Sequence, residues 1–278
     1  MQSVTLRRLL KDVLFRYRLV LRIRYSPLFL RIWLGLRPAV REELREQRRY
    51  YELLLEGLRP GIHRALDIGA HEGFVSAVLL GKGLLVTALD PDPRNARVLE
   101  ARYGTQKGFR FYPFAAGAMA GWVPFYQQKD GTALSTLELK WKGLVEREDY
   151  RLYSGYEQSA APVKVVTIDE LIGEEAVPCL IKIDVEGYER QVLRGLSRQV
   201  PLLTFEANLP EFLPETLECL DWLHQLDPGV RFNYSFGFRY GLEAFIDYAS
   251  FREQLSLIGH PCIDVICRMS NYAQYYKD

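Results

Sequence analysis

Apolar positions along this chain fall into two regimes. Between residues 6 and 22, Leu6, Leu9, Leu10, Val13, Leu14, Tyr17, Val20 and Leu21 recur at helical spacing, with Arg7, Arg8, Lys11, Arg18 and Arg22 opposite them, which predicts a basic amphipathic helix. Pro27 closes that helix, and Leu28, Phe29, Leu30, Ile32, Trp33 and Leu34 form a second apolar patch. From residue 61 short apolar runs alternate with helical periods. Strands are expected over 64–68, 84–89 and 109–113, with helices over 72–80 and 93–103 between them. The alternation resumes with strands over 180–184 and 202–206 and helices near 187–196 and 210–226. Strands over 231–236 and 263–268, separated by a helix around 244–257, close the chain. Such alternation builds parallel βαβ units, so the fold class is α/β: a doubly wound, mostly parallel sheet of about seven strands with helices on both faces, preceded by an N-terminal helical segment. The expected division is a segment over 1–58 and a domain over 59–278. Residues 121–166 fit the scheme poorly. Residues 122–127 and 132–138, around Lys129-Asp130-Gly131, suggest a β-hairpin that could wall a pocket or simply face solvent.

Composition narrows the class. With 278 residues, 48% of them hydrophobic and 26% charged, the chain can bury a full core, and disordered, collagen-like and disulfide-dense classes are disfavoured. The four cysteines, at 179, 219, 262 and 267, have no zinc-type spacing, so no metal site is expected from them and a reducing compartment fits best. No long uncharged apolar run exists, because arginines interrupt every candidate near the N-terminus, and a cytoplasmic location is expected. The net charge of +1 hides an asymmetry: residues 1–50 carry 13 Lys or Arg against 4 Asp or Glu, and the remainder is acidic. That acidic body argues against nucleic acid as a partner. The basic segment, residues 1–34, could contact an anionic membrane surface peripherally, self-associate, or pack on its own domain, and packing is the preferred reading.

Chemistry gathers at strand ends. Asp67-Ile68-Gly69-Ala70-His71-Glu72-Gly73 stands where the first strand turns into the first helix. Its glycines permit a tight turn and close approach of a ligand, and the helix start favours an anionic group. The spacing departs from the G-x-G-x-x-G of dinucleotide binders. Asp90, at the end of the second strand, could accept hydrogen bonds from both hydroxyls of a ribose, or it could cap the next helix. Pro91 and the segment Phe114-Ala115-Ala116-Gly117 offer walls for an adenine ring. In Leu180-Ile181-Lys182-Ile183-Asp184-Val185-Glu186-Gly187-Tyr188-Glu189, Lys182 and Asp184 alternate with isoleucines and share one side of a buried strand. Charges there are costly, so they point to a functional role or to a Lys182–Asp184 or Lys182–Glu186 ion pair that fixes the strand end, and such a pair does not exclude function. Glu206 and Asn208 end the next strand and face the same cleft.

In that order, Asp67 to Gly73, then Asp90-Pro91-Asp92-Pro93-Arg94-Asn95, then Val166-Thr167-Ile168-Asp169, then Ile181 to Glu189, the motifs resemble those of the FkbM family of S-adenosylmethionine-dependent O-methyltransferases. The resemblance covers residues 60–208 and is most specific in the Lys182–Glu189 block. It implies a class I, Rossmann-like methyltransferase fold with an antiparallel seventh strand, S-adenosyl-L-methionine as cofactor, and methylation of a hydroxyl on a sugar, polyketide or similar small-molecule or glycan acceptor. His71 stands where the family usually has Asn, and Asp90 where Glu is more usual.

The expected cofactor-binding residues are therefore Asp67, Gly69, Ala70, His71, Gly73, Asp90, Pro91 and Ala116. An aliphatic hydroxyl must lose its proton during transfer, and Asp184 is the expected base, with Lys182 and Glu186 organising it. In a different version, Asp184, Glu206 and Asn208 hold Mg²⁺. His63, His224 and His260 have no recognisable partners. Two competing classes stay open at this point: a nicotinamide-dependent oxidoreductase, which the missing third glycine disfavours, and a non-catalytic nucleotide-binding or scaffold module.

Overall fold

The structure is a computed structural model that describes residues 36–61, 63–129, 131, 133–147, 155–159 and 161–277. The basic segment expected over 1–34 lies outside the described residues. The first described helix, α1 (Pro38–Leu54), opens with Pro at its first turn and buries Tyr50, Tyr51 and Leu54 along one face. Then come β1 (Arg64–Ile68), α2 (Phe74–Gly81), β2 (Leu85–Leu89), α3 (Pro93–Tyr103), β3 (Phe109–Tyr112) and β4 (Ala115–Ala116). The middle of the chain holds β5 (Gly121–Val123), β6 (Tyr126–Gln128), α4 (Leu139–Arg147), β7 (Tyr156–Gln158), β8 (Val163–Val166) and α5 (Ile168–Ile172). The last part holds β9 (Leu180–Ile183), α6 (Glu189–Leu193), β10 (Leu202–Asn208), α7 (Leu213–Leu226), β11 (Arg231–Phe236), β12 (Arg239–Tyr240), β13 (Ile246–Asp247), α8 (Tyr248–Leu255), β14 (Cys262–Arg268) and α9 (Tyr272–Tyr275).

The main sheet runs β12-β11-β14-β10-β9-β1-β2-β3, with β13 added on β11. Strands β3, β2, β1, β9 and β10 are parallel, and β14 inserts antiparallel between β10 and β11. Seven principal strands in this order, the last in sequence antiparallel, are the class I methyltransferase topology expected above. The two-residue strands β12 and β13 extend its far edge. Strand order reverses between β1 and β9, which opens a crevice beyond the carboxyl ends of the strands at that point.

Alternate strand residues feed two cores, as sheet geometry requires. Ala65, Val86, Leu180, Leu202 and Ile266 point to the face covered by α1 and α2, where they meet Tyr50, Tyr51, Leu54, Val75 and Leu79. Leu66, Ile181, Leu203, Phe205 and Cys267 point to the other, with Ile168, Val192, Leu220 and Phe251 from α5, α6, α7 and α8. Residues of α1 thus share one core with the sheet.

Element boundaries differ from expectation where local backbone or capping decides. The helix expected from 72 starts at Phe74, because His71 and Gly73 are left-handed. The helix expected over 244–257 starts at Tyr248, because Ile246 and Asp247 pair with β11 and the Asp247 side chain accepts from Ser250 N. The hairpin expected over 122–138 is reduced to one bridge, Tyr126 with Thr136. Strand β5 pairs instead with β8, and β6 with β7, both partners arriving from more than 25 residues further on. The α4 helix within this stretch was not expected; it buries Trp141 and Val145 beside Phe212.

Candidate active site

The loop after β1 is built from three left-handed residues, Gly69 (φ 76°), His71 (φ 50°) and Gly73 (φ 76°). Gly69 N and Ala70 N both donate to Leu89 O, at 3.0 and 2.9 Å, which ties the loop to the end of β2. A Cβ on Gly69 would lie 1.7 Å from Asp184 O, and one on Gly73 would strike the Leu99 and Tyr103 side chains at 2.6 and 2.7 Å. Only glycine lets the loop pass this close to β9 and α3. Asp90 sits under the loop and accepts from His71 N at 2.8 Å, Asp92 N at 2.9 Å and Asn95 Nδ2 at 3.0 Å. Burial pushes its carboxyl up to about 7, against the pull of those donors. The cap of α3 is Asp92, which accepts from Arg94 N at 2.8 Å, so the capping alternative for Asp90 does not hold. Burial lowers the imidazole pKa of His71.

Loop and strand ends enclose a cavity of about 780 Å³, counting its open mouth. Gly69, His71, Asp90, Pro91, Ala116, Asp184 and Glu186 line it; Asp67, Ala70, Gly73 and Lys182 do not. Asp67 lies behind it, fully buried, accepting from Ser76 Oγ at 2.6 Å and standing 3.6 Å from Lys182 Nζ. Lining residues that the sequence reading missed are Asn95, Phe125, Ser135, Leu137 and Tyr188. Phe125, Ser135 and Leu137 come from the irregular stretch after β5, and Arg94 fastens that stretch to α3: it pairs with Asp92 at 2.6 Å and donates to Gln128 O at 2.7 Å. No local pattern announces such a staple.

Beyond this cavity the strand ends carry a row of acids. Asp184 stands one position past the last β9–β10 pair, level with Glu206; Glu206 pairs across to Asp264 of β14, and Asp264 to Ser235 of β11. Lys182 is buried on the same face. Its Nζ donates to Gly69 O at 2.8 Å and lies 3.2 Å from Asp184 Oδ2. Burial alone would lower the Lys182 pKa, but the carboxylates of Asp184 and Asp67 outweigh it and hold it above the usual range. The anticipated pairing with Asp184 is present, whereas among the described residues Lys182 makes no ion pair with Glu186. Burial, with Asp184 and Glu189 nearby, raises Glu206 to about 8, and burial with Asp184 raises Asp264 to about 6. Glu186 is also driven well up, by burial first and then by Glu206 and Asp184. It sits in a left-handed turn (φ 57°) completed by Gly187, and Glu189 Oε1 accepts from Val185 N at 3.0 Å and Gly187 N at 3.3 Å to hold that turn.

Oxygens of Asp184, Glu186 and Glu206 lie within 4.8 Å of one another, close enough to share a divalent cation. Glu186, which was not anticipated as a ligand, belongs to this trio, and Asn208 lies beside it, its amide donating to Glu206 Oε2 at 3.0 Å. A second cavity, about 680 Å³ with its mouth, opens over the row, and Asp184 lines both cavities. His224 and His260 stack on Tyr248 and Phe236, and His63 meets Arg59 O; none lines either cavity.

Comparison with known proteins decides the family. A profile described as the methyltransferase FkbM domain matches residues 67–240, more than half of the chain. The chain belongs to the FkbM methyltransferase family. A search of curated proteins finds no match. Solved structures similar in fold include precorrin-6y C5,15-methyltransferase from Geobacter metallireducens (11% identity, 79% of this chain and 87% of that one, TM-score 0.39). A TehB-like SAM-dependent methyltransferase from Corynebacterium glutamicum matches at 11% identity, 81% and 88% coverage and TM-score 0.41. The plantazolicin methyltransferase BpumL, solved with SAH, matches at 9% identity, 93% and 96% coverage and TM-score 0.41.

As an FkbM methyltransferase the protein uses S-adenosylmethionine, and the nicotinamide alternative falls away. The residues fit that cofactor: a glycine loop whose cradle any Cβ would fill, a buried acid at the β2 end, and a cavity walled by Pro91, Phe114 and Ala116. Among the described residues no helix is long and apolar enough to cross a membrane.

Proposed function

We propose that this FkbM methyltransferase transfers the methyl group to a hydroxyl of a sugar, polyketide or similar small-molecule or glycan acceptor, and that Asp184 is the base. The observation that carries this reading is the position of Asp184 on the wall common to both cavities. In it, Gly69, His71, Asp90, Pro91 and Ala116 hold the cofactor in the first cavity, while Asp67, Ala70 and Gly73 shape the loop from behind. Asp90 has about one acceptor position left for a ribose hydroxyl, since a carboxylate offers roughly four and three are taken. When bound, S-adenosylmethionine supplies an electrophilic methyl whose bond pair leaves with sulfur as the new carbon–oxygen bond forms. Asp184 takes the proton from the acceptor hydroxyl. Its side chain is 41% exposed and 3.2 Å from Lys182 Nζ, so it stays reachable from the second cavity while the lysine fixes its orientation. Lys182 and Glu186 act as positioning residues, the lysine by bridging Asp184 to the Gly69 carbonyl. Alignment of acceptor and donor supplies the largest part of the acceleration, as expected for an in-line displacement with a good leaving group.

Asp184→Asn keeps the shape and removes the base. It is expected to lower turnover about a hundredfold or more while S-adenosylhomocysteine affinity, measured by calorimetry, stays within a few fold. Equal losses in both would assign Asp184 to structure instead.

A further inference from the structure

The second cavity is lined from opposite ends of the chain. Gln47 and Tyr51 come from α1, Lys182 and Asp184 from β9 and its end, Glu206 from β10, and Asp264 from β14. The α1 and β14 residues fall outside residues 67–240, the part matched by the family profile. Tyr51 is 5% exposed, and among the described residues nothing hydrogen-bonds its hydroxyl. Phe238, in the turn after β11, adds a second aromatic side chain to the lining. Among the described residues Lys182 is the only lysine or arginine lining either cavity, and it is committed to Gly69 O, Asp184 and Asp67.

We infer that this second cavity receives the methyl acceptor and selects one carrying a protonated amine beside its hydroxyl, an amino-sugar or amino-alcohol unit, with Tyr51 and Asp264 as specificity residues. The inference rests on the methyl-transfer reading above. Its physical basis is the combination of three carboxyl groups in one cross-strand row, aromatic rings able to take a cation, and a buried phenol with an unused hydrogen-bonding group. An anionic acceptor would meet Asp184, Glu206 and Asp264 with a single, already engaged ammonium to offset them. The hydroxyl beside that amine then lies next to Asp184, on the wall shared with the cofactor cavity.

The test is calorimetric titration of the full chain saturated with S-adenosylhomocysteine, using D-glucosamine, D-glucose and D-glucuronate as probes. Glucosamine is expected to bind about tenfold or more tightly than glucose, with glucuronate weakest. Tyr51→Phe and Asp264→Asn are each expected to reduce that preference severalfold while S-adenosylhomocysteine affinity is unchanged. Equal binding of glucosamine and glucose, or no binding of any probe at tens of millimolar, overturns the inference. Manganese binding that excludes glucosamine also overturns it, since the acids would then hold a metal. Failure of S-adenosylhomocysteine itself to bind would instead sink the methyl-transfer reading, so the two failures are separable.

Discussion

At the scale of single residues, the site is a set of groups whose surroundings are arranged before any ligand arrives. Three N–H donors hold Asp90 in place, and its burial to 6% exposure keeps competing water away. Asp90→Ala removes the acceptor proposed for the ribose and leaves three donors without a partner. At roughly 1–1.5 kcal/mol for the one hydrogen bond lost to the ribose, affinity falls about five- to twelvefold. The expected outcome is a rise of that size in the S-adenosylhomocysteine dissociation constant. An unchanged constant would remove Asp90 from the cofactor site. Gly69 has a different role, because the lack of a Cβ, which would lie 1.7 Å from Asp184 O, lets the glycine loop pass close to Asp184. Here one residue couples the two halves of the site by having no side chain.

At the scale of elements, α1 does two things. It closes the core on one face of the sheet through Tyr50, Tyr51, Leu54 and Leu55, and it carries Gln47 and Tyr51 over the second cavity. Leu54 is 1% exposed. Leu54→Ala is expected to cost about 2–5 kcal/mol through lost burial and the cavity left behind. A chain of this size should then melt lower by about 2–4 °C per kcal/mol, which differential scanning calorimetry would read. A drop under about 2 °C would mean that the helix is only loosely attached. On the other side of the molecule Phe125, Ser135 and Leu137, between β5 and α4, wall the first cavity, and Arg94 on α3 and the β6–β7 pairing hold that part of the chain. Ser135 and Leu137 line the first cavity through that stapling, though neither lies in a helix or strand.

For the whole molecule, the row of acids makes stability depend on pH. Glu206 titrates near 8 in the fold against an ordinary value of 4.5, so the folded state holds a proton that the unfolded state releases. Its contribution to stability is fully present below about 4.5 and is lost as pH rises to about 8. Glu206→Gln imitates the protonated form. The variant should match the parent in melting temperature near pH 4.5 and exceed it by a few degrees above pH 8. A difference that does not change between these limits would show that Glu206 titrates normally. Asp90, Glu189 and Asp264 are raised in the same way, so the parent curve contains their terms too, and the difference curve reports Glu206 together with its effect on Glu186.

Local sequence determined the βαβ alternation, the glycine turn after β1 and the acids at the ends of β2, β9 and β10, because each is encoded by contiguous periodicity or turn chemistry. Those residues carry the family resemblance for the same reason. Tertiary structure alone decided that β5 and β6 pair with β8 and β7 rather than with residues 132–138, and that Arg94 anchors the intervening chain. It also brought Glu186 beside Asp184 and Glu206, since the left-handed turn at Glu186 appears only in the fold. Tyr51 and Asp264 show the limit most plainly. They are far apart in sequence and acquire a shared cavity only when α1 packs on the sheet and β14 inserts antiparallel between β10 and β11. Cross-strand proximity depends on strand order and register, and these are set by the burial of both faces of the sheet at once, a free energy that no local window of sequence contains.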